Sequence, residues 1–327
     1  MKAVVYDTYG GPDRLSLREV EKPTPKAGEV LIEMRAVSVN LTDWEFLTGW
    51  PAYARSQGIF RPKKPTLGSD VAGIVRATGP GVTRFKPGDA VFGDILYTLG
   101  GFAEFACAKD VDLILKPDAL SFEEAAAIPQ AGVIALQGIR DKGHVQAGQK
   151  VLINGGGGGG GSFAIQIAKT LGAEVTAIDT ASKQGLMRRL GADHVIDYAV
   201  EDFTQNRTRY DLVLDLVATR SPFACARALT RKGRYLAVGG PLHVILNLLV
   251  VGGIFSLFSR RKVGLLMVQP GAEALGAITS LITQGTVRPA IERRFTLDQT
   301  AEAIAWLGQG KSQGKVVVTL PENGDKT

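Results

Sequence analysis

Cysteine and histidine are scarce in this 327-residue chain. Two cysteines, Cys107 and Cys225, can build neither a disulfide framework nor a four-thiolate zinc lobe. The three histidines, His144, His194 and His243, all lie outside the first third. A run long enough to span a membrane is also missing. The most apolar stretch, Leu242 to Phe258, has 17 residues and contains His243, Asn247 and a Gly252-Gly253 pair. That is short of the roughly 20 residues a span needs. It reads as a core or interface helix; peripheral membrane contact, through its basic end Arg260-Arg261-Lys262, is the second reading. Met1 to Gly10 holds no apolar leader, so no secretory signal is expected. Together with the cysteine count, this gives a reducing, cytoplasmic setting as the expectation. Charge is not one-sided either. The net +6 is spread in short knots, and no motif that reads RNA or DNA accompanies it, which argues against a nucleic-acid partner.

What the chain has is glycine, 40 residues of it, and a composition of 45% hydrophobic and 21% charged residues. That suits a globular protein of two domains. Its first third carries short β-type runs, Ala3–Tyr6, Glu29–Val39, Val71–Thr78, Ala90–Phe92 and Phe102–Ala108. Turn signals such as Lys86-Pro87-Gly88-Asp89 separate them, as in a partly closed antiparallel barrel. The texture changes near residue 122. Ser121 is an N-cap with Glu124 three residues on, and Glu123–Ala127 opens a helix. Strand and helix then alternate: Lys150–Asn154, Ser162–Leu171, Glu174–Asp179, Ser182–Leu190, His194–Asp197, Tyr210–Leu216, Pro222–Leu229, Gly233–Val238 and a late strand at Val263–Val268. Such alternation predicts a doubly wound parallel sheet. Helices at Ala272–Thr283 and Thr300–Leu307 and a strand at Lys315–Leu320 close the chain, the strand returning to complete the first domain.

Seven consecutive glycines, Gly155 to Gly161, separate the strand ending at Asn154 from the helix that follows. Gly156, Gly158 and Gly161 satisfy G-x-G-x-x-G. Early glycines allow a tight turn and let backbone N–H groups approach a pyrophosphate; the last lets the helix pack on the strand. A glycine run matches almost any glycine pattern, so the context decides. Strand, loop, helix and a second strand ending in Asp179 predict a dinucleotide site.

Several further pieces occur together: Ser38-Val39-Asn40 with Asp43, Gly68-Ser69-Asp70-Val71-Ala72-Gly73, Phe85-Lys86-Pro87-Gly88-Asp89, Gly101-Phe102-Ala103-Glu104-Phe105, Leu190-Gly191-Ala192-Asp193 and Gly314-Lys315-Val316-Val317-Val318. On these the chain resembles the medium-chain dehydrogenase/reductase superfamily, in its zinc-free quinone oxidoreductase (zeta-crystallin-like) branch. The resemblance implies a GroES-like domain from 1–124 and 270–327 and a Rossmann domain from 125–269. Zinc members place a cysteine at the position of Ser38 and Gly-His-Glu at Gly68-Ser69-Asp70, so no metal is expected. Without a Lewis acid, ionising an alcohol is hard. Hydride transfer from NADP(H) or NAD(H) to a quinone or an α,β-unsaturated carbonyl is easier.

By the same resemblance, Asn40 lies where nicotinamide meets substrate, or else holds a turn at the strand end, and Asp43 lies near the cofactor or caps a helix starting at Trp44. Tyr53 reads as a packing residue, with a proton donor or an aromatic wall as the alternative. The implied cofactor contacts are Asn40, Gly156, Gly158, Gly159, Gly160, Gly161, Asp179, Thr180, Lys183, Tyr198, Gly239 and Lys315. Cofactor choice stays open: Asp179 suits the ribose hydroxyls of NADH, while Lys183 matches the lysine that pairs with the 2′-phosphate of NADPH. Two departures stand out. Ala131-Gly132-Val133-Ile134-Ala135 has lost the usual threonine, and Gly160 replaces a valine. A homodimer through Val263–Val268 is expected, since an apolar edge strand is a liability when unpaired. An alcohol or aldehyde oxidoreductase, or a non-catalytic nucleotide-binding protein, is the alternative.

Overall fold

The computed structural model describes residues 1–321. Fifteen strands and ten helices among them fall into two compact units. One holds Met1–Gln130, Pro270–Thr283 and Ile291 onward; the other holds Ala131–Gln269 and Gln284–Ala290. The division therefore comes at 130/131 where the sequence suggests 124/125, because the helix Phe122–Ala126 packs on strands of the first unit.

The first unit contains β1 (Lys2–Val5), β2 (Ser16–Glu19), β3 (Glu29–Val39), β4 (Asp70–Thr78), β5 (Ala90–Asp94), β6 (Phe105–Lys109) and β7 (Leu113–Leu115). Its main sheet also takes two strands from the far end of the chain and is described with them below. The long β3 is half-buried only at Glu29 and buried from Val30 to Val39. Ile32, Met34, Val37, Leu47, Val71 and Phe102 form the centre of the core. The helix α1 (Leu41–Thr48) follows β3 directly, and α2 (Phe122–Ala126) starts from the Ser121–Glu124 capping box, both side chains bonded as expected. Next comes α3 (Pro129–Leu136).

In the second unit β8 (Lys150–Asn154), β9 (Glu174–Asp179), β10 (His194–Asp197), β11 (Tyr210–Asp215), β12 (Leu229–Ala237) and β13 (Lys262–Leu265) pair in the order β10-β9-β8-β11-β12-β13, all parallel. Such an order is the doubly wound arrangement, with its crevice where the strand order reverses, at the ends of β8 and β11. The helices are α4 (Gly159–Thr170), α5 (Gln184–Arg189), α6 (Pro222–Arg227), α7 (Leu242–Asn247) and α8 (Gly253–Phe258). A wide π-type turn, Leu248–Gly252, joins the last two. The apolar 242–258 stretch is thus helical throughout, as expected. Among the described residues no helix is long and apolar enough to cross a membrane.

After α9 (Ala272–Thr283), the strand β14 (Ile291–Thr296), the helix α10 (Thr300–Gly308) and β15 (Lys315–Thr319) return to the first unit. The sheet order there is β14-β15-β3-β4-β5-β7, with β6 also on β3. Several expected bounds shift. The glycine-loop helix starts at Gly159 rather than Ser162, and Ser182–Leu190 resolves into a 3₁₀ turn, Ala181–Lys183, followed by α5. The late strand stops at Leu265, and Phe102–Ala108 begins only at Phe105. The strand β12 starts four residues early, at Leu229, and ends α6.

Candidate functional site

In the first unit, antiparallel pairing aligns the end of β3, the start of β4, the end of β5 and the start of β15. This gathers residues far apart in sequence into one buried polar cluster. Lys315 is 2% exposed, Asp70 0%, Asp43 1% and Asn40 5%. The Lys315 ammonium donates to Asn40 Oδ1 at 2.6 Å and lies 3.6 Å from Asp70. Asp70 also accepts the Gln130 backbone N–H, at the start of α3, on both oxygens. With its carbonyl oxygen held by a cation, the Asn40 amide must turn its NH₂ the other way, where Ser69 Oγ lies at 3.4 Å. Ser38 faces Asp70 across β3 and β4, and its buried hydroxyl has no hydrogen-bond partner among the described residues.

Asp43 does not cap a helix at Trp44. The helix α1 starts at Leu41, Asn40 is its N-cap, and Asp43 is the third helical residue. Asp43 accepts the Asn40 backbone N–H at 2.8 Å on one oxygen and the Gly68 N–H at 2.9 Å on the other. It therefore ties the helix start to the 68–69 turn. Gly68 has φ +94°, and a Cβ there would lie 2.8 Å from the Phe102 nitrogen, so the turn requires glycine. Burial pushes the Asp43 carboxyl up to about 7 against the pull of these two donors. Burial likewise raises Asp70 and lowers Lys315, and each charge opposes the shift of the other. The Asp94 carboxyl is pushed well up by burial and by nearby Asp70. Tyr53 stands apart from this group: its hydroxyl donates to Glu45 at 2.8 Å, and burial with that carboxylate raises its pKa.

The second unit builds its site from backbone. A Cβ on Gly161 would lie 2.2 Å from the Gly155 oxygen, and one on Gly156 would lie 2.9 Å from the Ala177 Cβ. At Gly158 the nearest neighbour is 3.6 Å away, and at Gly160 it is Leu216 at 3.4 Å. So the run folds back on itself at 156 and 161 and stays open at 158, where α4 has its N-cap. The first N–H groups of α4 have no helical acceptor, the arrangement that suits a diphosphate.

At the rim, Asp179 accepts from Gly157 N–H at 3.1 Å and Thr180 N–H at 2.8 Å, and Lys183 Nζ lies 3.2 Å from it. Both side chains are buried. The two residues the sequence sets against each other are thus partners. Tyr198 is exposed and its N–H reaches the Asp179 carbonyl; Gly239 is exposed with φ +66°. Behind the loop, buried Asp215 accepts from Asn154 Nδ2, the Val217 and Ala218 N–H groups and Tyr235 OH. This holds the ends of β8 and β11 in place. Asp94 and Asp215 were not singled out by sequence; both stand at the carboxyl end of a strand, the one signal they offered.

Among the described residues no group of three His, Cys, Asp or Glu side chains is placed to hold a metal ion. Two family models match the chain: an alcohol dehydrogenase GroES-like domain over residues 26–118 and a zinc-binding dehydrogenase model over residues 190–318. A chloroplast envelope quinone oxidoreductase homolog of Arabidopsis thaliana is 31% identical over 97% of this chain and 98% of its own length. The chain belongs to the medium-chain dehydrogenase/reductase superfamily, in its quinone oxidoreductase branch. Another member of the superfamily, an NADPH-dependent alkenal/one oxidoreductase of Arabidopsis thaliana, is 30% identical over 97% of this chain and 79% of its own. A solved quinone oxidoreductase from Coxiella burnetii superposes with a TM-score of 0.89 at 30% identity, covering 98% of this chain and 99% of that one. The two units are the GroES-like and Rossmann domains of this superfamily, and the cofactor is a nicotinamide nucleotide.

Proposed function

We propose that the protein is an NAD(P)H-dependent reductase of quinones or α,β-unsaturated carbonyls that works without zinc. The observation that carries this reading is the Lys315 ammonium on Asn40 Oδ1. A cation supplied by the chain itself stands among Ser38, Ser69 and Asp70, the positions where zinc members carry their ligands, and serine is a poor ligand at neutral pH. The names of the quinone and alkenal reductases it resembles point to the same substrate class.

The nicotinamide, when bound, supplies the hydride. The chain's own part is to hold and polarise. The open N–H groups at Gly159, Gly160 and Gly161 bind the diphosphate. Lys315 fixes the Asn40 amide so that its NH₂ donates to the carbonyl oxygen of the acceptor, which gains negative charge as it is reduced. A donor aimed at such an oxygen is worth roughly 10²–10³ in rate. Lys315 and Asp43 are positioning residues, one holding the Asn40 side chain and the other its backbone. Tyr53, with its hydroxyl on Glu45, acts as a wall, and the last proton comes from solvent. NADPH is the preferred cofactor: Lys183 neutralises Asp179, whose oxygens are already engaged by two N–H groups, so the carboxylate no longer repels a 2′-phosphate.

Two lesser points complete the reading. The edge position of β13 supports a homodimer, to be checked by sedimentation velocity. The free thiols Cys107 and Cys225 suit a reducing, cytoplasmic compartment.

Fluorescence titration with NADPH and with NADH, followed by loss of nicotinamide absorbance with 1,4-benzoquinone or a 2-alkenal, tests the proposal. NADPH binding at least tenfold tighter than NADH, lost in Lys183→Ala, with acceptor-dependent oxidation, is the expected result. If neither nucleotide binds, the cradle has been misread; binding without turnover of either acceptor would sink the reductase.

A further inference from the structure

From Leu216 to Ala272 the chain has no aspartate or glutamate at all, while it carries eight arginines and lysines. The chain as a whole has a net charge of +6, so everything outside this stretch is slightly acidic, at −2. The whole positive surplus belongs to one run of 57 residues, which forms α6, β12, α7, α8 and β13 of the Rossmann unit.

The fold concentrates it further. Pairing of β12 with β13 sets Arg234 beside Lys262, and Arg261 Nε donates to the Thr230 carbonyl. The Arg260–Lys262 run is thereby brought against the Arg231–Lys232 part of β12, with Arg231, Lys232, Arg260 and Lys262 all exposed. Lys262 Nζ reaches the Ser256 carbonyl in α8, so the basic cluster abuts the apolar helices.

Those helices are two-sided. Val244, Leu248 and Gly252 face the core, while Leu246, Leu249, Val250 and Ile254 are 52–59% exposed. Phe223 of α6, 57% exposed, packs edge-to-face on Phe255 and extends the same apolar surface. Large apolar side chains beside a cluster of cations, on helices too short to span, are the make-up of a segment that lies in the plane of a membrane interface. A second copy laid on these apolar helices, as distinct from one paired at the β13 edge, is the poorer occupant, since it would set one basic cluster against another.

We propose that this face docks the protein reversibly on an anionic lipid surface. The basic cluster meets the headgroups, and Leu246, Leu249, Val250 and Ile254 enter the boundary with the acyl chains. What the docked protein gains, access to acceptors dissolved in lipid, rests on the reductase reading; the docking does not.

Co-sedimentation of the full chain with vesicles tests it. The vesicles are phosphatidylcholine alone, or with about a third phosphatidylserine, at low salt and at about 0.5 M salt. Binding to the anionic vesicles is expected to be at least about tenfold stronger and to fall away at high salt. Arg231→Gln/Lys232→Gln/Arg260→Gln should remove most of that preference. Leu246→Asn/Leu249→Asn should abolish pelleting, with thermal melts confirming that both variants fold. Equal pelleting on both vesicle types, or wild-type binding by the charge variant, would overturn the proposal. So would a wild type that ignores every vesicle while the Leu246→Asn/Leu249→Asn variant changes from dimer to monomer. None of these readouts uses turnover, so they stand or fall apart from the reductase assay.

Discussion

The two polar centres of this molecule are built on opposite plans. In the GroES-like unit, Asp70, Asn40 and Lys315 are buried side chains held together by the Lys315 ammonium, and buried Asp43 beside them is held by two backbone N–H groups. In the Rossmann unit the centre is a space, lined by glycine N–H groups and closed at the rim by the Asp179–Lys183 pair. The first depends on charge balance, so removing one member leaves another stranded. The second depends on clearance, so adding one carbon at the wrong glycine is enough to spoil it.

The largest effect should come from unbalancing the first centre. Lys315→Met leaves Asp70 buried without its cation and is expected to cost about 3–5 kcal/mol in urea unfolding. Adding Asp70→Asn should recover much of that loss; no recovery would mean the two charges are not coupled. The same centre should respond to pH. Burial keeps Asp43 protonated up to about 7 in the folded protein, whereas the unfolded chain releases that proton near 4. The stabilisation is whole below pH 4 and is lost as pH rises to 7, by up to about 4 kcal/mol. Melts from pH 4 to 8 should show this fall, and Asp43→Asn should flatten it.

The Rossmann centre is tested by volume. Gly161→Ala, which forces a methyl against the Gly155 oxygen, should cost about 1–3 kcal/mol and abolish NADPH binding. Gly158→Val should leave unfolding almost unchanged and still weaken NADPH at least tenfold, because its side chain enters the open part of the cradle. Equal stability losses at the two positions would break the distinction. Smallest of all, Gly160→Ala puts a methyl into ordinary contact with Leu216 within a helix. It should raise stability by up to about 1 kcal/mol in thermal melts.

The second centre was far more legible in the sequence than the first. Lys150–Asn154, Glu174–Asp179 and His194–Asp197 are strands with the bounds expected from their apolar runs, and the glycines between β8 and α4 are contiguous. A loop of neighbours can be read along the chain. The cluster around Lys315 cannot, because Asn40, Asp70, Asp94 and Lys315 meet only through the register of four strands. The family resemblance singled out Asn40 and Asp43, yet gave no sign that Asp43 lies in the first turn of α1 holding Gly68. The strand β14 was not anticipated, since Ile291-Glu292-Arg293-Arg294-Phe295-Thr296 buries only Phe295 and sits at a sheet edge. Cofactor preference was unreadable for a related reason: Asp179 and Lys183 were weighed as rivals, and their mutual contact is a property of the folded turn.

The strand β15 lies between β3 and β14, joining the last fifty described residues to the first forty. On the ribosome, therefore, β3 to β7 emerge before the strands that complete their sheet, and must wait. Their sheet lacks two strands and its central polar cluster lacks a cation until Lys315–Thr319 has been made. The Rossmann strands, contiguous from Lys150 to Leu265, have by then been available for some time. The Rossmann strands are thus made before the first sheet can close, and a chain that stops before Lys315 would leave the β15-facing edge of β3 unpaired.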